Sequence, residues 1–338
     1  MPRSRPTARD VAALAGVSIA TVSYVLNGRS EGRVSQATIH RVLAAARQLA
    51  YAPNGSARNL RRRRTERVCL VVGAVGVPAN DHLTRDLHTV ADETGHGVIT
   101  IMVDSDVRAQ QAVELLRQRI ADGTIIAPAV PHIDDSALQS LARSHLPLVV
   151  MSDTATPAGF DVVQTRTQQA CGEALDHLFE SGRRRIAFIA HDMDLRPGGP
   201  TGRLTAYQDA LARHDIDPGH GIVVTGSDDR VAAHRATLDL MARDDPPDAI
   251  FAASDRAALS VLWALHQRGV AVPDDVAVIG VGNLEEGLIS TPQLTTVGDP
   301  AQDYRPTARL LFDRLLADEP VPDRHITAPW ALIRRGSA

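Results

Sequence analysis

The chain contains no lysine; all 36 of its basic residues are arginine. With alanine abundant beside it, this usage fits GC-rich coding better than a chosen chemistry. Cysteine is almost as scarce. Cys69 and Cys171 form no spaced motif, so buried free thiols are expected rather than a disulfide. No apolar run is long enough to span a bilayer, and no apolar signal region follows the first residues, so the expectation is a cytoplasmic protein with no membrane partner. The 338 residues are ample for two or three cores. Their charge is unevenly spread. Residues 1–64 carry twelve arginines against Asp10 and Glu31, a formal +10, and the remainder carries −14, leaving −4 for the chain. A cationic head on an acidic body is the electrostatic footprint of nucleic-acid binding by the head alone.

The head has a helical pattern. Thr7 followed three residues on by Asp10 is a capping box, opening a helix with apolar Val11, Leu14 and Ala15. Gly16 is placed to end it, because glycine adopts left-handed geometry without penalty. Ser18 then caps a second helix, in which Val22, Val25 and Leu26 mark the buried side and Ala20, Tyr24 and Asn27 the other. Two short helices joined by a glycine-containing turn form a helix-turn-helix, whose second helix enters the major groove. A third helix from Ser35 carries the stripe Ile39, Val42, Leu43, Ala46 and Leu49, which closes a small core. The same pattern fits a bundle that packs on another element; the arginine surplus favours DNA.

The run DVAALAGVSIATVSYVLNGR, followed by VSQATIHRVLAAARQLAYAPNGSARNLRRRRT, resembles the head of the lactose-repressor (LacI/GalR) family of bacterial transcription regulators. Weaker collinear similarity continues through DHLFESGRRRIAFIA at 176–190, FAASDRAAL at 251–259, VPDDVAVIGVGN at 272–283 and LTTV at 294–297. The resemblance implies DNA contacts from Thr7, Ser18, Thr21, Ser23 and Asn27, chiefly to phosphates, with Ile19, Ala20 and Tyr24 over base edges. None of those three makes the two-point contacts by which Arg reads guanine or Gln reads adenine. Ile19 and Ala20 can touch thymine methyls, and Tyr24 can make one hydrogen bond. The cationic stretch GSARNLRRRRTER is by itself a flexible linker. By the resemblance it is a hinge helix capped by Asn54, ordered only when two copies meet over the operator. Leu60 then wedges into the minor groove, Ala57 sets the close approach, and Arg58 with Arg61 to Arg64 reaches phosphates.

Beyond Arg67 short apolar strands alternate with amphipathic helices, which implies parallel sheets covered on both faces. The expected fold is an all-α helix-turn-helix head on an α/β body of two doubly wound parallel-sheet lobes, similar to the periplasmic-binding-protein fold. The expected domains are 1–53 for the head, 54–66 for the hinge and 67–338 for the body. By the resemblance the first lobe takes 67–162 and 299–326, and the second 163–298 and 327–338.

Ligands of such sheets bind beyond the carboxyl ends of the strands. Arg203, four residues before Tyr207, matches the family's effector-contacting arginine. Asp255 matches an aspartate common in the family, with capping of the next helix an equal reading. Asn80, Ser152, Arg166 and Asn283 fall near cleft positions. Two departures stand out. Gly280-Val281-Gly282-Asn283 lacks the carboxylate that many sugar-binding members carry there, and Ser152 replaces a frequent aspartate. With Arg166 added, a non-sugar or anionic effector fits at least as well as a sugar.

Enzymatic readings are weak. His191-Asp192-Met193-Asp194 resembles a metal cluster, but neighbouring ligands rarely point at one ion. Gly280 and Gly282 lack the third glycine of a dinucleotide loop, and Cys171 has no histidine partner. No catalytic residue, metal or cofactor is expected. A single helix-turn-helix covers half a symmetric site, and the residues after Trp330 hold no leucine heptads, so a homodimer on an inverted-repeat DNA operator is expected. The expected function is transcriptional regulation, as a repressor, under a small-molecule effector. The alternatives are a regulator whose body only dimerises and a small-molecule receptor of the same fold.

Overall fold

A computed structural model describes residues 6–27, 30–51, 64–74, 77–128, 130, 132–195, 202–217, 219 and 221–338. They fall into two units, Met1–Thr65 and Glu66–Ala338.

The head has helices α1 (Ala8–Ala15), α2 (Ile19–Leu26) and α3 (Gln36–Gln48). Side-chain chemistry sets each start. The Thr7 N–H donates to Asp10 Oδ2 at 2.8 Å while the Asp10 N–H donates back to Thr7 Oγ1, closing the capping box. Ser18 and Ser35 accept from the Thr21 and Thr38 N–H groups. Gly16, at φ 64° and ψ 42°, ends α1 in the left-handed region, and α2 departs from α1 at 102°. That angle belongs to a helix-turn-helix. Val11, Ala12, Ala15, Val22, Val25, Val42, Ala45 and Ala46 form the core. Leu14, expected on the buried face, is 47% exposed. The buried arc of α1 runs from Val11 through Ala15 to Ala12, and at roughly 100° per residue Leu14 lies about 60° beyond its Val11 edge.

The body holds two six-stranded sheets. The first has the order β11-β5-β4-β3-β1-β2, built from β1 (Arg67–Val72), β2 (Gly97–Met102), β3 (Gly123–Ile126), β4 (Leu148–Met151), β5 (Asp161–Gln164) and β11 (His325–Thr327). The second has the order β12-β10-β9-β8-β6-β7, built from β6 (Ile186–Ala190), β7 (Ile222–Thr225), β8 (Ala249–Ala252), β9 (Ala277–Val281), β10 (Thr295–Gly298) and β12 (Ala331–Ile333). All pairings are parallel except β12 against β10. Both faces of each sheet are covered, so the central strands are buried along their length. Val68, Leu70 and Val72 enter one core and Cys69 and Val71 the other; Ile186, Phe188 and Ala190 alternate with Ala187 and Ile189 in the same way. This is the period-2 pattern of a sheet buried on two sides.

The helices of the body are α4 (Pro78–Glu93), α5 (Asp106–Arg117), α6 (Asp135–Arg143), α7 (Thr167–Glu180), α8 (Gly202–Arg213), α9 (Arg230–Leu240), α10 (Asp255–Gln267), α11 (Glu286–Ile289) and α12 (Arg305–Leu316). The chain passes between lobes after β5, after β10 and after β11. β5 extends to Gln164 in the first sheet and β11 to Thr327, slightly beyond the sequence-based boundaries. All three connections leave from strand carboxyl ends, so the carboxyl edges of the two sheets face each other.

A buried ion cluster fastens the first lobe. Asp161 is fully buried and takes Arg314 at 2.7 Å and Arg324 at 2.6 Å. Burial alone would raise its carboxyl pKa; the hydrogen bonds from Arg314 and Arg324 outweigh that and hold it below the usual carboxylate range. At the junction with the head, the Glu66 N–H donates to Asp122 Oδ2 at 2.7 Å and the Asp122 N–H donates to the Arg67 carbonyl, also at 2.7 Å.

Candidate functional site

The outer face of α2 mixes the hydroxyls of Ser18 and Thr21 with the exposed side chains of Ile19, Ala20 and Tyr24. Ser18 and Thr21 share a hydroxyl contact of 2.9 Å. Ile19 is 48% and Tyr24 40% exposed, and Ala20 is exposed beside them. Asn27 folds back on the helix, its Nδ2 donating to the Ser23 carbonyl at 2.6 Å and to Ser23 Oγ at 3.1 Å. Thr7 is occupied by its capping box. Arg33, which the sequence reading passed over, lies over the Tyr24 ring. Asn54, Ala57, Arg58, Leu60 and Arg61 lie outside the described residues.

In the body, the loops at the carboxyl edges are tied by their own polar groups. Ser152 follows β4; its Oγ accepts from the Thr154 and Ala155 N–H groups at 3.2 and 3.0 Å. The next residue, Asp153, grips the first crossing. Its carboxylate accepts from the N–H groups of Thr165 and Arg166 at 2.8 Å and of Thr167 at 2.7 Å, at the start of α7. Arg166 takes a left-handed φ of 52° there and is exposed. Asp153, Gln164, Arg166, Gln168 and Gln169 line a cavity of about 400 Å³.

Arg203, in the first turn of α8, is half-buried, and its Nε has no hydrogen-bond partner among the described residues. Asp194, 2% exposed in the turn after β6, has its carboxyl pushed up by burial, while Arg203 and His191 pull it down. Asp228 accepts from the Asp192 N–H at 2.7 Å and meets His191 Nδ1 at 2.8 Å. The His191–Asp194 stretch is thus a hydrogen-bonded turn. Among the described residues no group of three His, Cys, Asp or Glu side chains is placed to hold a metal.

Asp255 does not cap α10. Ser254 does, accepting from the Ala257 N–H at 3.3 Å. Asp255 is 2% exposed and joins three elements, taking the Thr296 hydroxyl and the Leu284 N–H, each at 2.6 Å. Burial pushes its carboxyl up to about 6, with those two hydrogen bonds acting the other way. Asn283, 6% exposed at φ 54°, donates to the Asp299 carbonyl at 2.9 Å and accepts from Arg335 at 2.6 Å, and its carbonyl accepts from Gln302. Asn80, 7% exposed, donates to the Ala74 carbonyl at 3.2 Å. The side-chain donors of Asn80 and Asn283 and the carboxylate of Asp255 are therefore engaged within the protein, whereas Arg203 and Arg166 keep donor capacity. The sequence reading missed Asp153 and Asp228 and weighed Asp194 only as part of a metal-like run; their one signal was position, in the turns that follow β4, β7 and β6.

A cationic helix-turn-helix with an exposed reading face, on a chain whose body is two parallel-sheet lobes meeting at their carboxyl edges, defines a ligand-responsive DNA-binding regulator. The model of bacterial regulatory proteins of the lacI family matches residues 7–54, and that of the periplasmic binding protein-like domain matches residues 175–338. The HTH-type transcriptional regulator CelR of Thermobifida fusca is 33% identical over 343 residues, with 98% of each chain covered. The ribose operon repressor of Escherichia coli (strain K12) is 29% identical over 333 residues, covering 98% of this chain and 99% of that one. A solved structure of a transcriptional regulator CelR–cellobiose complex aligns with a TM-score of 0.67 at 30% identity, over 99% of this chain and all of the other. The chain belongs to the lacI family of bacterial regulatory proteins. These relatives are transcriptional regulators, and among the described residues no single helix is long and apolar enough to cross a membrane.

Proposed function

We propose that this regulator is a repressor that binds an inverted-repeat operator as a homodimer and responds to a small polar ligand held between its lobes. The observation that carries the reading is the head. α2 presents Ile19, Ala20 and Tyr24 outward, in the arrangement that enters a major groove, and residues 1–64, head and hinge together, carry a formal charge of +10. One such module covers half a symmetric site, so two copies are needed. Ile289, 81% exposed, and Trp263, 59% exposed, are large apolar groups on the body that a second copy would cover. Leu60 is the residue we assign to the minor groove at the centre of the site.

For the cleft, the described acidic groups Asp153 and Asp255 are consumed by internal hydrogen bonds, and Asp194 is buried. Among the described residues, Arg203 and Arg166 keep donor capacity there. This balance favours a ligand rich in acceptor oxygens, with a carboxylate or phosphate in reach of Arg203. The protein controls rather than catalyses, and it acts in the cytoplasm. Selecting genomic fragments with the purified protein, then titrating the complex with neutral sugars, sugar acids and sugar phosphates, tests the reading. No preference for an inverted repeat over random competitor would end it. A tight response to a neutral monosaccharide alone would end its anionic part.

A further inference from the structure

The reading face of α2 has a gap in its chemistry. Ile19 and Ala20 offer apolar contact and Tyr24 a single hydroxyl, so nothing on the helix holds two atoms of one base edge. A group with that capacity sits beside the helix. The guanidinium carbon of Arg33 lies 5.6 Å from the centre of the Tyr24 ring, within cation–π range. The local chain fixes it there. Gly32 takes φ 67°, a left-handed geometry that a Cβ disfavours. The N–H groups of Arg33 and Val34 both donate to the Ser30 carbonyl, at 3.1 and 3.0 Å. Val34 packs on the head core and Ser35 caps α3, so Arg33 is held from both sides. It is exposed and makes no ion pair among the described residues.

We propose that Arg33, stacked on Tyr24, reads a guanine in each half-site, with Tyr24 as the residue that positions it. A guanidinium lying over an aromatic ring keeps its edge free, and that edge is the fork that matches O6 and N7 of guanine. Tyr24 faces the bases, so a group over its ring is carried to the groove floor. A phosphate contact would need only charge, which the head already has in excess. The inference rests on the reading of the head as an operator-binding element.

The test selects sites from random duplexes with the full-length wild-type protein and with Arg33→Ala, Arg33→Lys and Tyr24→Ala, then titrates the best site and its single-base variants. The wild-type motif is expected to hold G·C at one symmetry-related pair of positions. Arg33→Ala is expected to lose about tenfold to a hundredfold affinity there and to accept any base. Arg33→Lys behaves likewise, because an ammonium lacks the fork. Tyr24→Ala blurs the same positions although Arg33 is present. A uniform loss over all sequences, with the motif intact and the salt slope shallower by about one ion per head, makes Arg33 a phosphate contact and overturns the proposal. A Tyr24→Ala motif that keeps its guanine overturns the stacking role. If the wild type itself selects no inverted repeat, the operator reading fails and this proposal falls with it.

Discussion

Asp255 fills the space that a side chain on Gly280 would need. A Cβ built on Gly280 would overlap Asp255 Oδ1 and stand 2.9 Å from the Ala258 Cβ. The bare Gly280 on β9 is therefore what admits a buried carboxylate from α10, which in turn holds Leu284 and Thr296. Gly280→Ala is expected to cost about 2–3 kcal/mol as overpacking in a filled core. Urea unfolding of the full chain, read as a fall in midpoint without a change of slope, checks it.

The same carboxylate makes body stability pH-dependent. Its folded value of about 6 lies above the ordinary aspartate value of 3.8, so between those values the folded state binds the proton more readily than the unfolded one. Stability from this group therefore falls as pH rises from about 4 to 6, by about 3 kcal/mol. Asp255→Asn is expected to flatten that part of the stability–pH curve. An unchanged difference between wild type and variant across the window would count against it.

Asp161 carries the opposite sign. Its folded pKa is depressed, so its contribution is whole above the unfolded value and is lost as pH falls through the folded one. Asp161→Ala leaves Arg314, whose side chain is 11% exposed, and Arg324 without their shared partner. A loss of about 3–5 kcal/mol is expected at neutral pH, measurable by denaturant unfolding, with most of the deficit gone in strong acid.

Arg203→Gln keeps a polar side chain but removes the charged fork. Operator affinity without ligand is expected to stay within about twofold, while the ligand concentration needed for half-response rises at least about tenfold, as for loss of one charge-assisted contact. Paired operator titrations with and without ligand measure both numbers. Equal shifts in the two would place Arg203 in the scaffold instead.

Leu60→Ala tests the hinge. Loss of the wedge is expected to weaken operator binding by at least about tenfold, since an inserted side chain supports the bent duplex, and to leave binding to random DNA nearly unchanged. Equal loss on both duplexes would remove the wedge from the account.

The caps explain why the head was legible: Thr7 with Asp10, Ser18, Gly16 and Ser35 act within a few residues of themselves. The alternation of buried strands and amphipathic helices was legible for the same reason. β11 and β12 were not, because each has three residues and none is fully buried. The four-residue β5 was absorbed into a lobe boundary. Leu14 misled because a core built from alanines leaves the larger residue outside. The cleft was least legible. Asp255 was weighed as a cap because its real partners lie 29 and 41 residues away, and Asp153 reaches forward more than ten residues to hold the first crossing. Partners at such separations leave no periodic trace.

The Asp161 cluster also sets an order of assembly. The second of its arginines, Arg324, which immediately precedes β11, lies 163 residues further along the chain. During synthesis the first lobe lacks both its edge strand and the countercharge for a buried aspartate until the chain has been made beyond Arg314, Arg324 and β11. The three-helix head closes its core from its own residues, so a nascent chain carries a finished head well before the lobe that regulates it is complete.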